Sequence, residues 1–395
     1  MARSFLRVAI VVSAIHVLVP ASASAQGTIT DALSFLLTNR SIPTGDPTGD
    51  LEAAAAARDT MSTLLKVELT TLPVNASASG FTYRMDPALG GVPVRSTATF
   101  GAFVTERALT LGAQHLSFAT TFQTVSFDRI DGRDLRDGSL RATASRLSAD
   151  AEPFDLETIT MRIHADTMTV SANYGITDRL DFGGALPIGR LTLSGERVDT
   201  YRGTQSTQAT VDASTSGVGD MLLRGKFHLW QRGTTGISGG AEARLPTGSA
   251  ENLLGTDRTT IKPRLIVSVE NSHVALDSNV GYGFGGISDE LDYAAALTTV
   301  GSSAFTVVGE FSGRRLTSTG RLIDVTAPNP RVAGVQTTRL SAITSSTNRA
   351  VATGGVKWNV RATWLVTANV SRFLGTAGLT ANWMSTFGAE YAFGE

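Results

Sequence analysis

The stretch Asp220-Met-Leu-Leu-Arg-Gly-Lys-Phe-His-Leu-Trp230 alternates with period two. Its even positions are Asp220, Leu222, Arg224, Lys226, His228 and Trp230, and its odd ones Met221, Leu223, Gly225, Phe227 and Leu229. Successive strand side chains point to opposite faces, so one face is largely polar and the other apolar. The next segment repeats the pattern, with Ile237, Gly239, Ala241, Ala243 and Leu245 against Ser238, Glu242 and Arg244. A third sets Ile261, Leu265, Val267 and Val269 opposite Lys262, Arg264, Ser268 and Glu270. Near the end, Trp383, Phe387, Tyr391 and Phe393 alternate with Asn382, Thr386 and Glu390.

Alternation alone also fits a soluble β-sandwich. Three features point instead to a membrane barrel. The segments run about ten residues, the length of a membrane-spanning strand. Short connections (231–235, 271–272, 301–302) alternate with long polar ones (128–154, 201–215, 246–257, 313–349), as expected of tight periplasmic turns and long outer loops. The apolar faces carry almost no charge, and strands in lipid must close into a barrel to satisfy their backbone groups. The apolar phase flips around residues 164–168 and 187–189, where each flip reads as a β-bulge or as a turn. Bulges give twelve strands and turns fourteen; twelve is favoured, because Gly175-Ile176-Thr177-Asp178 reads as the tight turn. The expectation is an all-β fold, a transmembrane antiparallel β-barrel of about twelve strands over residues 113–395, with a short N-terminal helical segment.

Composition agrees. The chain has 395 residues, 42% hydrophobic and only 17% charged, with 40 Gly, no Cys and a net charge of -1. Mean hydropathy is +0.06, too low for a bundle of apolar helices. Near-neutral charge gives no footprint for nucleic acid, and the lack of Cys removes disulfides and thiolate metal sites. Arg3 and Arg7, the apolar run Val8 to Val19 and Ala23-Ser24-Ala25 make a secretory signal peptide over residues 1–25. The expected location is therefore the outer membrane of a bacterial cell. Residues 26–112 read as helical and irregular: Thr28-Ile29-Thr30-Asp31 resembles a capping box opening a helix through Asn39. Pro43, Gly45, Pro47 and Gly49 break it, and Asp50 caps a second helix from Leu51 to about Leu69. Leu51, Ala54, Ala55, Met61, Leu64 and Leu65 share one face. Residues 70–112 have no settled period, and the segment reads equally as a plug, a periplasmic arm or collar, or a partner-docking arm.

The stretch Tyr174-Gly-Ile-Thr-Asp-Arg-Leu-Asp-Phe-Gly-Gly-Ala-Leu-Pro187 resembles a family named for the meta-pathway of phenol degradation. So do Ser216-Gly-Val-Gly-Asp220, Arg244-Leu-Pro-Thr-Gly248 and Asn252-Leu-Leu-Gly255. The resemblance implies an outer-membrane channel admitting small hydrophobic or aromatic compounds, similar in architecture to the long-chain fatty-acid transport barrels with their N-terminal plug. It is clearest over residues 171–313, and its motifs specify turns rather than a substrate. Many such barrels end on an aromatic residue; here Gly394-Glu395 follow Phe393. That departure bears on how the barrel-assembly machinery reads the terminus.

Chemistry-bearing candidates are few. Gly236-Ile-Ser-Gly-Gly240 matches G-x-S-x-G, but that motif needs a strand-to-helix turn, and Ser238 opens a strand. His115, His164, His228 and His273 are dispersed, so a membrane lipid hydrolase is the third reading. Asp128, Asp131, Asp134 and Asp137 are interleaved with Arg129, Arg133 and Arg136, which suits an ion-paired loop better than a Ca²⁺ site, and its arginines suit lipopolysaccharide. No cofactor or metal is expected. The pore-lining candidates are Arg224, Lys226, Glu242, Arg244, Lys262, Arg264 and Glu270, all on the inferred inner face. They read as a structural charge network or as a constriction; five bases against two acids suggest a weak preference for anionic or carboxylated solutes. The functional expectation is passive, energy-independent uptake of small hydrophobic or aromatic molecules by a chain embedded in outer-membrane lipid. The alternative is a non-conducting structural or surface barrel sealed by residues 27–112. Oligomeric state is open.

Overall fold

The computed structural model describes residues 28–38, 42–70, 76–77, 80, 82–86, 92–95, 97, 99–302, 304–361 and 363–393. The expected signal peptide, residues 1–25, lies outside them. After a short hairpin, β1 (Tyr83–Asp86) with β2 (Val92–Arg95), the described chain enters one large antiparallel sheet. Twelve strands of it close into a barrel. Its order runs from β7 (Asp155–Thr177) through β3 (Leu116–Phe127), β21 (Met384–Phe393), β19 (Trp364–Leu374), β18 (Thr347–Arg361) and β15 (Phe305–Leu316). It continues through β14 (Glu290–Ser302), β13 (Val274–Gly283), β12 (Thr260–Glu270), β11 (Thr235–Leu245) and β10 (Met221–Arg232) to β8 (Leu180–Tyr201). Pairing of β8 back onto β7 completes the circle.

The outer surface is an apolar band that water would not tolerate. Leu229, Leu265, Leu276, Leu291, Leu297, Val307, Phe311 and Phe387 are all exposed on it, as lipid-facing positions must be. Stacked Phe305 and Trp358, and the cluster Trp364, Tyr391 and Phe393, lie beside the tight turns, where an interfacial aromatic girdle belongs. Trp230 departs from strict alternation. A register shift between His228 and Trp230 in β10 turns Trp230 outward, 45% exposed, rather than onto the polar face with His228.

The two phase flips are neither bulges nor turns. Every odd residue of β7 from Asp155 to Asn173 is buried, and its register with β8 is unbroken from Asp155 to Gly175. What changes is the surroundings. Below the rim the inward side chains are Thr167, Thr169, Ser171 and Asn173, facing the lumen, while Met168, Val170 and Tyr174 face lipid. Above the rim the inward side chains are Ile159, Met161 and Ile163, which join a hydrophobic core, while Thr158, Thr160 and Arg162 face water. In β8 the same exchange puts Leu186 and Ile188 outward and Leu191 and Leu193 into the core. Each flip marks the level at which a straight strand leaves the membrane.

Above that level the long connections are structured rather than loose. β6 (Leu140–Leu147), β9 (Thr204–Val218), β16 (Arg321–Pro328) and β17 (Val335–Ile343) extend β7 and β8 into a sheet ordered β16-β17-β6-β7-β8-β9. The expected loop 201–215 is thus mostly strand, entered by a turn with Arg202 and Gly203 at positive φ. Short strands β4 (Arg129–Ile130), β5 (Arg133–Asp134) and β20 (Leu379–Thr380) form a patch nearby.

Two helices pack on this projecting sheet. α1 (Ile29–Leu37) opens with the expected capping box, Asp31 N–H donating to Thr28 Oγ1 at 3.1 Å and Thr28 N–H to Asp31 Oδ2 at 2.9 Å. α2 (Pro47–Thr70) begins earlier than expected, because Pro47 suits a first helical turn and Asp46 accepts from Gly49 N–H at 3.1 Å. Leu51 lies off the buried face, 63% exposed. Leu33, Leu36, Met61, Leu64 and Leu65 meet Ile159, Met161, Leu191, Leu193 and Leu340 of the sheet in one core. The last turns of α2 are buried all round, Val67, Glu68, Leu69 and Thr70 included, because there the helix enters the barrel mouth.

Candidate functional site

The barrel interior is occupied by the chain's own N-terminal segment. Residues 99–111 have no regular structure, and their backbone groups are satisfied by side chains from the wall. Glu310 accepts from the N–H groups of Phe103, Val104 and Thr105, and Thr306 from that of Phe100 at 3.1 Å. Lys357 donates to Ala102 O at 2.8 Å, and Lys226 to Arg107 O at 3.2 Å and Leu109 O at 2.8 Å. Ser268 accepts from Ala108 N–H at 2.8 Å, while Asp181 accepts from Leu111 N–H at 3.0 Å. Glu106 reaches back to the wall, meeting Arg224 and Lys226 at 3.4 Å each. Burial pushes its carboxyl up, but Lys226, Arg224 and hydrogen bonds from Ser77 outweigh that and hold it at about 2.

Between this segment and the loop-side mouth lies a cavity of about 200 Å³. α2 lines it with Val67, Glu68 and Thr70, and Val104 and Glu106 face it from the inner segment. Five of the seven expected pore-lining residues line it: Arg224, Glu242, Arg244, Lys262 and Arg264. Lys226 borders a smaller cavity beside Glu106 and Asp181. Glu270 sits towards the tight-turn end, where Thr99 Oγ1 donates to it at 3.1 Å.

Reading β10–β12 alone misses most of the carboxylates. Glu290 and Asp292 of β14 pair with Lys262 at 2.6 and 3.2 Å, and Arg264 contacts Glu242 at 2.7 Å and Asp292 at 3.4 Å. Glu68 of α2 clamps Arg314 and Arg349, two wall cations outside the expected set. The excess of basic charge read from three strands shrinks to one, six cations against five carboxylates around the cavity. The alternation of β14, β15 and β18 puts Glu290, Asp292, Arg314 and Arg349 on the inner face and was the available signal.

The remaining candidates have structural duties. Ser238 is fully buried and donates to Ala108 O at 2.5 Å, with His228 Nδ1 3.0 Å from the same oxygen. Ser126, His164 and Asp166 also align, with Ser126 Oγ 2.9 Å from Nδ1 and Asp166 3.2 Å from Nε2. They lie side by side on a flat strand surface, Ser126 directly opposite His164 in the β3–β7 ladder. The aspartates of 128–137 hold loops together: Asp128 pairs with Arg136 at 3.0 Å, and Asp131 accepts from Leu322 and Gly378 N–H at 2.8 Å each.

The family model described as "Putative MetA-pathway of phenol degradation" matches residues 143–379, over half of the chain. The chain belongs to this family. The family-like motifs converge on one buried carboxylate. Asp220 accepts from Gly248 N–H at 3.1 Å, Thr256 N–H at 2.9 Å and Thr256 Oγ1 at 2.7 Å. Gly219 N–H donates to Pro187 O at 2.8 Å, and Thr247 Oγ1 to Gly219 O at 2.9 Å. The three motifs build the knot where β9 gives way to β10. Among solved structures, an outer-membrane channel from Pseudomonas putida F1 is 13% identical, with a TM-score of 0.48 over 72% of this chain and 98% of that one. The CymD monoaromatic hydrocarbon channel is 9% identical, with a TM-score of 0.29 over 81% and 99%. A FadL homologue from Pseudomonas aeruginosa is 10% identical, with a TM-score of 0.32 over 81% and 97%. At these scores the likenesses bear on neither substrate nor mechanism. No curated protein sequence matches the chain.

Proposed function

We propose that this chain is an outer-membrane channel for passive uptake of small, largely hydrophobic solutes, closed at rest by its N-terminal segment. The observation that carries the reading is a twelve-strand barrel, apolar outside, with a cavity between the end of α2 at the loop-side mouth and Val104 and Glu106 of the inner segment. In this reading residues 1–25 are removed on export, 26–112 form the plug and 113–395 the barrel. The inward charges, Arg224, Lys226, Glu242, Arg244, Lys262, Arg264 and Glu270 among them, line the route. Folding and insertion would engage the barrel-assembly machinery, and lipopolysaccharide would contact the outer arginines. The solute moves down its gradient, so no energy source or cofactor enters.

The density of bonds from wall to plug favours a second reading, a sealed surface barrel. Single-channel recording of the refolded mature protein separates the two. Wild type is expected to show discrete, brief openings, and Glu106→Gln to raise open time about tenfold or more, since it leaves Arg224 and Lys226 without their shared counter-charge. A folded, heat-modifiable barrel silent in both forms would establish the sealed barrel instead.

A further inference from the structure

The charge pairing around the cavity leaves one cation over. Arg224 faces Glu106, Lys262 and Arg264 share Glu242, Glu290 and Asp292, and Arg314 and Arg349 share Glu68. Arg244 lines the same cavity and, among the described residues, has neither a hydrogen bond nor an ion pair. The carboxylates that attract it from a distance, Glu242, Asp220 and Glu290, are each committed elsewhere: to Arg264, to the Gly248–Thr256 knot and to Lys262. A guanidinium in this position, partly desolvated and unmatched, favours an incoming anion. Its planar fork fits a carboxylate through two parallel hydrogen bonds. Among the charges, the cavity wall also includes Leu222, directly across the β10–β11 ladder from Arg244, and Leu316, Val351, Phe373 and Met384. A cavity of about 150 Å³ already accepts benzene, so about 200 Å³ suits a single-ring or short-chain body.

We propose that Arg244 is the anchor of a binding site for small monocarboxylates with an apolar body. The proposal rests on the reading of this cavity as part of a solute route and names what the route selects. It also accounts for how a nearly neutral lumen discriminates: one unmatched guanidinium recognises one carboxylate, while the paired charges keep the cavity hydrated.

Equilibrium dialysis of the full mature chain, folded in detergent, tests it with benzoate and its neutral counterpart benzyl alcohol. Benzoate is expected to bind about tenfold more tightly than benzyl alcohol. Arg244→Gln should erase that difference and leave benzyl alcohol within about twofold of wild type, whereas Arg244→Lys should keep the charge and lose about threefold for benzoate. Equal binding of the two probes, or benzoate binding untouched by both substitutions, would overturn the site. If Arg244→Gln fails to fold by heat-modifiable migration, Arg244→Lys decides the matter on the same terms. Recordings on the same samples separate this proposal from the channel reading. A conducting barrel without benzoate preference defeats the site alone, and Arg244-dependent benzoate binding in a barrel that never conducts defeats the channel alone.

Discussion

Gly175 shows how a single residue ties the inner segment to the barrel. It lies on the inward face at the end of β7, donates its N–H to His115 O at 2.9 Å and accepts from Gln114 N–H at 2.7 Å. A Cβ there would stand 1.8 Å from Gly112 O, a backbone atom that cannot swing away. Gly175→Ala should therefore displace the point where the N-terminal segment leaves the lumen, at a cost of about 1–3 kcal/mol. Gel migration after stepwise heating reads this directly. The variant should lose its folded mobility at a lower temperature, and an unchanged transition would contradict the crowding argument. The residue was legible as part of a tight turn, but its contact with Gly112 was not, because that contact joins two segments with no shared pattern.

Among the elements, the projecting sheet is one whose stability depends on protonation. Asp155, at the top of β7, is pushed up to about 7 by burial, then by its hydrogen bond to Asp199 and the charges of Asp199 and Glu157. Its folded value lies above the unfolded value of 3.8, so the folded sheet prefers the protonated acid. That contribution is complete below the unfolded value and is lost as pH rises through about 7. The cluster connects to α1, since Arg197 contacts Glu157 at 3.0 Å and donates to Phe35 O and Leu36 O at the end of that helix. Amide exchange in residues 155–161, corrected for intrinsic rates, is expected to be faster at pH 8 than at pH 5. Asp155→Asn should remove the difference; a difference that persists would place its origin in another group.

For the whole molecule, the path of the chain sets a topology. Residues 28–38 and 42–70 pack at the long-loop rim, the inner segment meets the wall near the tight turns at both ends, Thr99 on Glu270 and Leu111 on Asp181, and β3 begins beside the turn between β7 and β8. If the tight turns lie in the periplasm, as the channel reading proposes, the two helices stand on the cell surface. The chain has no Cys, so single cysteines report cleanly. Glu52→Cys is expected to react with a membrane-impermeant maleimide on intact cells, and Thr234→Cys, in the turn after β10, only after lysis. Labelling in the opposite order would invert the barrel.

What the sequence determined by itself is the part of the fold imposed by solvent. Lipid on one side and a polar lumen on the other act on every strand residue independently, so period-two alternation in β10, β11 and β12 is written locally and reads correctly. The twelve strands and the inward placement of Arg224, Glu242 and Lys262 follow from it. The phase flips near residues 164–168 and 187–189 were visible too, but their meaning was not, since a flip is the same string whether the strand bends or its surroundings change. The tertiary structure decided the surroundings: helices from residues 29–70 turn the inner face of the upper β7 and β8 apolar. It also decided which charges meet. Glu310 serves Phe103 across 207 positions and Arg314 serves Glu68 across 246. A backbone segment held by wall side chains needs no periodicity of its own, so the inner segment and the unpaired Arg244 emerge only when the barrel closes around them.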